Sequence, residues 1–151
     1  MKVISHNLIG TRLPERSIEV ERYSLRFFAE AIGATDPLHT DEAVARAAGY
    51  RSLLAPPTYV CCLANMADPD SGALLSLLDV DLRKVLHGEQ RITYYEPICA
   101  GDRLRFASRI ADIYSKKAGA LEFVAVDTTV INQDNLRVAA TQTLIVVRHA
   151  S

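Results

Sequence analysis

The 151-residue chain carries 17 basic and 18 acidic side chains, which give a net charge of −1 and a pI near 6.4. This length predicts one domain, residues 1–151, with enough chain to bury its own core. The even charge balance excludes the basic surface that nucleic acid or an anionic membrane requires. We therefore expect a small molecule or a protein as partner, with no nucleic acid and no membrane.

The three cysteines, Cys61, Cys62 and Cys99, are odd in number and lack the spacing of metal ligands. They are typical of small core residues in a reducing compartment. The four histidines also lack metal-ligand spacing, so we expect no metal site. Because the residues after Met1 contain no apolar secretion signal, we expect a cytoplasmic protein.

The first half of the chain predicts two short helices separated by a polar turn. From Ser24 onward, apolar residues recur at intervals of three and four, which is typical of an amphipathic helix, and Gly33 ends it. After the turn at residues 34–41, we predict a second helix with Thr40 as its N-cap and Gly49 at its C-terminal stop. Acidic residues in its first turn match the helix dipole.

The run at residues 53–64 is apolar on every side at helical spacing, so it predicts a helix inside the fold. Pro57 suits the first helical turn, where a missing N–H costs nothing. Asn65 and Asp68 interrupt the run too early for it to span a bilayer. The predicted elements are a buried central helix at 57–66, a loop at 67–72 and a short helix at 73–78.

In the second half of the chain the apolar period changes to two, which predicts β-strands separated by short turns. Long antiparallel strands joined by tight turns make a meander, and its apolar face needs a cover. The helix at 57–66 is the all-apolar candidate for that cover, so we predict an α+β fold with an antiparallel sheet wrapped around a central helix. The predicted strands are a short one at 18–21 and four long ones at 86–95, 103–114, 121–131 and 137–148.

Four segments of the chain resemble the motifs of one protein family. Residues 33–41, Gly-Ala-Thr-Asp-Pro-Leu-His-Thr-Asp, resemble the MaoC-type (R)-specific enoyl hydratase motif Gly-Asp-x-Asn-Pro-x-His-x-Asp. Residues 47–59 and the Leu-His-Gly-Glu-Gln at 86–90 resemble the N-terminal-type MaoC dehydratase branch, and 97–102 resembles the family's Pro-x-x-x-Gly-Asp turn. The resemblance runs from about residue 8 to residue 147, in the family's order and spacing.

This resemblance implies a hot-dog fold, in which two such domains share one continuous sheet as a homodimer or as a heterodimer with another MaoC-type chain. It implies thioesters of coenzyme A or acyl carrier protein as substrates, with no further cofactor. The activity it implies is that of a lyase of fatty-acid metabolism, which hydrates 2-enoyl thioesters or dehydrates 3-hydroxyacyl thioesters.

Hydration of an enoyl thioester needs a base for the water proton, an acid for the α-carbon and donors for the enolate oxygen. The resemblance makes His39 the base, and an imidazole with a reference pKa of about 6.5 suits that task. Asp36 would hold the water or act as the acid. Thr58 would offer its N–H to the thioester oxygen, while Tyr59 and His87 would contact the substrate.

The chain departs from the family's pattern at two places. The position of the family's catalytic aspartate, five residues before its histidine, holds Ala34. Where active hydratases place a glycine N–H at the start of the central helix, this chain has Pro56 and Pro57, which have no N–H to donate.

Other interpretations of these residues stay open. Asp36 is equally typical of a turn former before proline, His39 of a turn residue bonded to backbone, and Asp41 of a helix first turn. At the level of function, the chain is alternatively a non-catalytic thioester-binding subunit that pairs with a catalytic MaoC-type chain. A hot-dog thioesterase is a further alternative, and its free-thiol product distinguishes it.

Overall fold

The computed structural model describes residues 3–68 and 72–149, which contain four α-helices and five β-strands. The helices are α1 (Arg22–Ala31), α2 (Glu42–Ala47), α3 (Tyr59–Met66) and α4 (Ala73–Leu78). The strands are β1 (Arg16–Glu19), β2 (Val85–Tyr94), β3 (Arg103–Lys116), β4 (Leu121–Ile131) and β5 (Arg137–Arg148). The predicted loop at 67–72 lies partly outside the described residues.

The strands form one antiparallel sheet in the order β1-β3-β4-β5-β2. The meander predicted for all four long strands holds for β3, β4 and β5 and is wrong for β2, which pairs with β5 at the sheet edge. The segment between β2 and β3 does not make a hairpin. Its residue Cys99 pairs instead with Leu54 before β3 begins.

Helix α3 covers one half of the inner face of the sheet. Tyr59, Val60 and Leu63 are buried against Phe106 of β3 and its neighbours on β4 and β5. The predicted α+β arrangement of a helix laid on an antiparallel sheet is thereby confirmed. The helix is not buried on every side, however, because Met66 is 50% exposed.

Two predicted helix starts are wrong by one or two residues, for local reasons. The Asp41 carboxylate accepts hydrogen bonds from the Ala43 and Val44 N–H groups, so Asp41 caps α2 in place of Thr40. Helix α3 begins at Tyr59, and Pro57 lies in the turn before it. None of the described helices is long and apolar enough to cross a membrane.

Candidate active site

His39 ends a short 3-10 turn, Pro37–His39, and its ring is half-buried. Its Nδ1 lies 2.7 Å from the carbonyl oxygen of Leu54. Because a carbonyl oxygen only accepts hydrogen bonds, Nδ1 carries the proton in this contact. In the neutral ring, Nε2 is therefore the unprotonated nitrogen, which is the form that a general base needs.

The backbone that holds the ring is itself fixed on both sides. The Leu54 N–H donates to the Leu38 carbonyl oxygen at 2.9 Å, and the Ala55 N–H donates to the Ile98 carbonyl oxygen at 2.8 Å. The Ala100 N–H donates to the Leu53 carbonyl oxygen at 2.9 Å. This short ladder keeps the Leu54 carbonyl in one orientation, so the imidazole is oriented before any ligand arrives.

The Asp102 carboxylate bonds to the segment that carries Ile98 and Ala100. Asp102 was not among the predicted site residues. Its carboxylate is 2% exposed, accepts from the Cys99 N–H at 2.8 Å and lies 2.5 Å from an Arg51 guanidinium nitrogen. The hydrogen bond to Asp102 raises the pKa of Arg51. Its place in the Pro-x-x-x-Gly-Asp turn is the sequence signal that could have identified it.

Asp36 lies on the same turn as His39, but its side chain has another partner. The carboxylate Oδ1 accepts from the Leu38 N–H at 3.0 Å, which makes Asp36 the N-cap of the turn. Within the described residues, no hydrogen bond joins the Asp36 carboxylate to the His39 ring. Asp36 is exposed, and its other carboxylate oxygen makes no hydrogen bond with a described residue.

The start of α3 lies directly after Leu54 and Ala55. Thr58 is exposed, and no described residue accepts a hydrogen bond from its N–H. The turn before it is held by Tyr94, whose hydroxyl donates to the Pro57 carbonyl oxygen at 2.5 Å. Burial raises the pKa of Tyr94, so this hydroxyl keeps its proton. The sequence could not predict the contact between Tyr94 and Pro57, because these residues are 37 positions apart and come together only in the folded chain.

A cavity of about 610 Å³ lies between the sheet and the helices. Its wall includes Cys61 and Ala64 of α3 and Leu74 of α4, and His87 lines it from β2. Tyr59 does not line this cavity. Tyr59 is 1% exposed and packs on Phe28 with 4.8 Å between ring centroids, so it is a core residue in this structure.

The site therefore has two parts along α3. The Leu54 carbonyl, which bonds to the His39 ring, precedes its first residue by five positions and the Thr58 N–H by one, while Cys61, which lines the cavity, is two residues into the helix. In the described part of the chain, no group of three or more His, Cys, Asp and Glu side chains is placed to hold a metal ion. The arrangement offers an imidazole nitrogen and a backbone N–H before the helix and a cavity along it.

Comparisons with known proteins identify the family to which the chain belongs. The sequence model for the FAS1-like dehydratase domain region matches residues 7–141. A UPF0336 protein of Saccharopolyspora erythraea is 34% identical over 146 residues, which cover 96% of this chain and 92% of that protein.

Solved structures show the same fold. The C-terminally truncated HadBC complex of Mycobacterium tuberculosis, a 3R-hydroxyacyl-ACP dehydratase, matches at 27% identity with a TM-score of 0.76, covering 92% of this chain and 96% of the other. A MaoC-like dehydratase from Rhodospirillum rubrum matches at 19% identity with a TM-score of 0.73, covering 95% of this chain and 94% of that chain. The predicted hot-dog fold is confirmed, and the chain belongs to the FAS1-like dehydratase region family, among the MaoC-like hydratases and dehydratases.

Proposed function

We propose that the chain hydrates 2-enoyl thioesters, or dehydrates 3-hydroxyacyl thioesters in reverse, with His39 as the general base. The observation that carries the proposal is the contact between His39 Nδ1 and the Leu54 carbonyl oxygen at 2.7 Å, which leaves Nε2 free to accept a proton. The thioester is carried by coenzyme A or acyl carrier protein, and no further cofactor takes part.

In the hydration direction, Nε2 of His39 takes a proton from water while the water oxygen bonds to the β-carbon. The electron pair of the double bond moves to the α-carbon and the thioester oxygen, and the α-carbon then takes the proton held by His39, which restores the neutral base. The Thr58 N–H, which has no acceptor among the described residues, would donate to that oxygen in place of the family's glycine. The free oxygen of Asp36 would hold the water.

A second candidate function is that of a thioester-binding subunit in a heterodimer. The observation that favours it is that no carboxylate of the described residues bonds to His39, together with Ala34 at the family's aspartate position. The similar HadBC protein is a complex, which makes a catalytic MaoC-type partner a reasonable expectation for this chain. Both functions need the same thioester to bind.

The test uses the purified chain alone with trans-2-enoyl thioesters of short and medium length. Loss of the enoyl absorbance, with a product heavier by one water, is the expected result. Release of free thiol would instead identify a thioesterase. A folded chain that binds the thioester but yields neither product would contradict the hydratase proposal and favour the binding subunit.

A further inference from the structure

A band of polar side chains crosses the middle of the helix-facing side of the sheet. Register pairing places Ser108 of β3 opposite Thr128 of β4, and Thr128 opposite Thr141 of β5. In the next row Thr143 of β5 lies opposite Gln90 of β2. The residues two positions from Ser108 on the same strand, Phe106 and Ile110, are fully buried core residues, so these polar side chains share the inner face.

The polar band is the floor of the 610 Å³ cavity and not a packed layer of the core. All five of its residues line the cavity, and the opposite wall includes Cys61, Ala64 and Leu74. The band also separates the two hydrophobic clusters of the domain, one under α3 and one under α4. A volume of this size is in the range of ligand pockets, about 300 to 1,000 Å³.

The hydrogen bonds within the polar band leave some of its polar atoms without partners. Ser108 Oγ and Thr128 Oγ1 lie 2.8 Å apart, and one hydroxyl proton is enough for that contact. Thr143 donates to the Gln90 side-chain oxygen at 2.9 Å. The Thr141 hydroxyl makes no hydrogen bond with any described residue, so the floor retains both donors and acceptors.

The unpaired hydroxyl groups of the floor would bind a chain that carries an oxygen better than a plain hydrocarbon chain. A plain hydrocarbon chain laid on the floor would remove water from the hydroxyls and offer no hydrogen bond in return. An oxygen on the chain would replace that water. We propose that the cavity receives an acyl chain that carries a hydroxyl or carbonyl oxygen beyond the reacting carbons. This inference rests on the thioester ligand of the proposed function, and it applies whether the chain is catalytic or only binds.

The test measures binding and not turnover. The probes are S-alkyl phosphopantetheine thioethers, whose arm is common to coenzyme A and acyl carrier protein and which cannot react. One probe has a plain medium-length chain, and a matched set carries one hydroxyl at successive carbons. By calorimetry, at least one hydroxylated probe is expected to bind about tenfold or more tightly than the plain probe.

The variants Thr128→Val and Thr141→Val keep the side-chain shape and remove a hydroxyl from the polar band. Each is expected to reduce the preference for the hydroxylated probe to about twofold or less. The control is Thr129→Val, because Thr129 is on the same strand and faces the other side of the sheet. It is expected to leave the preference unchanged, and thermal unfolding checks that each variant is folded.

Three results would overturn the inference. Equal or tighter binding of the plain probe, or a preference unchanged in both band variants, would overturn it and leave the proposed function standing. No binding of any probe by the folded chain would overturn both.

Discussion

His39 and Asp36 are three residues apart on one turn, yet their side chains have different partners. The His39 ring bonds to the Leu54 carbonyl, whereas Asp36 caps the turn through the Leu38 N–H. The distinction matters because a capping carboxylate contributes to stability even when it takes no part in chemistry.

Asp36→Asn separates these two contributions. Asparagine caps as well as aspartate, so the melting temperature is expected to stay within about 1 °C of the parent. The charge that would hold the water in the proposed reaction is lost, so kcat for hydration is expected to fall about tenfold or more. Asp36→Ala should lose both activity and stability. Full activity in Asp36→Asn would show that the residue only caps the turn.

The identity of these residues was predictable from the sequence, but their contacts were not. His39 and Asp36 could be selected as candidates from their motif, because residue type and spacing are local information. The partner of the His39 ring could not be predicted, because Leu54 is fifteen positions away. The backbone hydrogen bonds of residues 53–55 bring it to the ring. The packing of Tyr59 was not predictable for a related reason. Its apolar neighbours predict burial but do not reveal whether it faces the core or the cavity.

At the element scale, a contact from β2 helps to hold the turn before α3. The Tyr94 hydroxyl donates to the Pro57 carbonyl oxygen at 2.5 Å. Tyr94→Phe removes this hydrogen bond and keeps the ring, so the free energy of unfolding is expected to fall by about 1 kcal/mol in urea titrations.

Tyr95→Phe is the matched control for this prediction. The Tyr95 ring packs under the Arg137 guanidinium at 4.4 Å, and its hydroxyl makes no hydrogen bond with a described residue. Removing that hydroxyl is therefore expected to leave stability unchanged. Equal effects of the two substitutions would show that the contact with Pro57 does not hold the turn.

Ion pairs of Glu42 join α1 to α2. The Glu42 carboxylate bonds to Arg22 of α1 and to Arg46, one helical turn further along α2. The hydrogen bond from Arg46, followed by the charge of Arg22, lowers the pKa of Glu42 from its ordinary value of 4.5. A lowered pKa in the folded state means that the stabilisation is present above that ordinary value and is lost as the pH falls through the folded value.

We therefore expect Glu42→Gln to melt at a slightly lower temperature than the parent at pH 7. The gap should be small, because these partners are solvent-exposed, and it should close as the pH falls below about 4.5. Glu30→Gln, which removes an exposed charge from α1, is the control. A gap that stays constant between pH 7 and pH 3 would contradict the prediction.

The strands were predictable to within two residues because alternation and turn residues are local signals. Strand β2 was placed beside the wrong neighbour in the meander. Its pairing with β5 is decided by the segment at 95–102, which bonds to residues 53–55 and so cannot form a hairpin. The pairing partner of β2 therefore depends on the tertiary fold, and the apolar periodicity within β2 carries no information about it.

At the scale of the whole molecule, one buried carboxylate ties both ends of the described chain to the sheet. Glu122 of β4 is 1% exposed, accepts from the Ile4 N–H at 3.0 Å and contacts His149 Nε2 at 2.6 Å. Such a group is stabilising only while its partners are present.

Glu122→Gln keeps an acceptor for Ile4 but removes the charge opposite His149. The free energy of unfolding is expected to fall by about 1 to 3 kcal/mol. Glu89→Gln, at an exposed strand carboxylate paired with Arg91, is the control and should change stability by less than about 1 kcal/mol. Urea titration measures both, and an unchanged midpoint for Glu122→Gln would show that the chain ends do not depend on this contact.

The proposed function itself depends on one proton transfer at His39. The most direct measurement is the rate of enoyl-thioester hydration by the parent and by His39→Gln, whose side-chain amide still offers Leu54 a donor but cannot act as a base. We predict a fall of about a hundredfold or more, with the affinity for an unreactive thioether unchanged. Equal rates in parent and variant would contradict a base at His39, and a folded, thioether-binding parent with no turnover would show that the chain alone is not a hydratase.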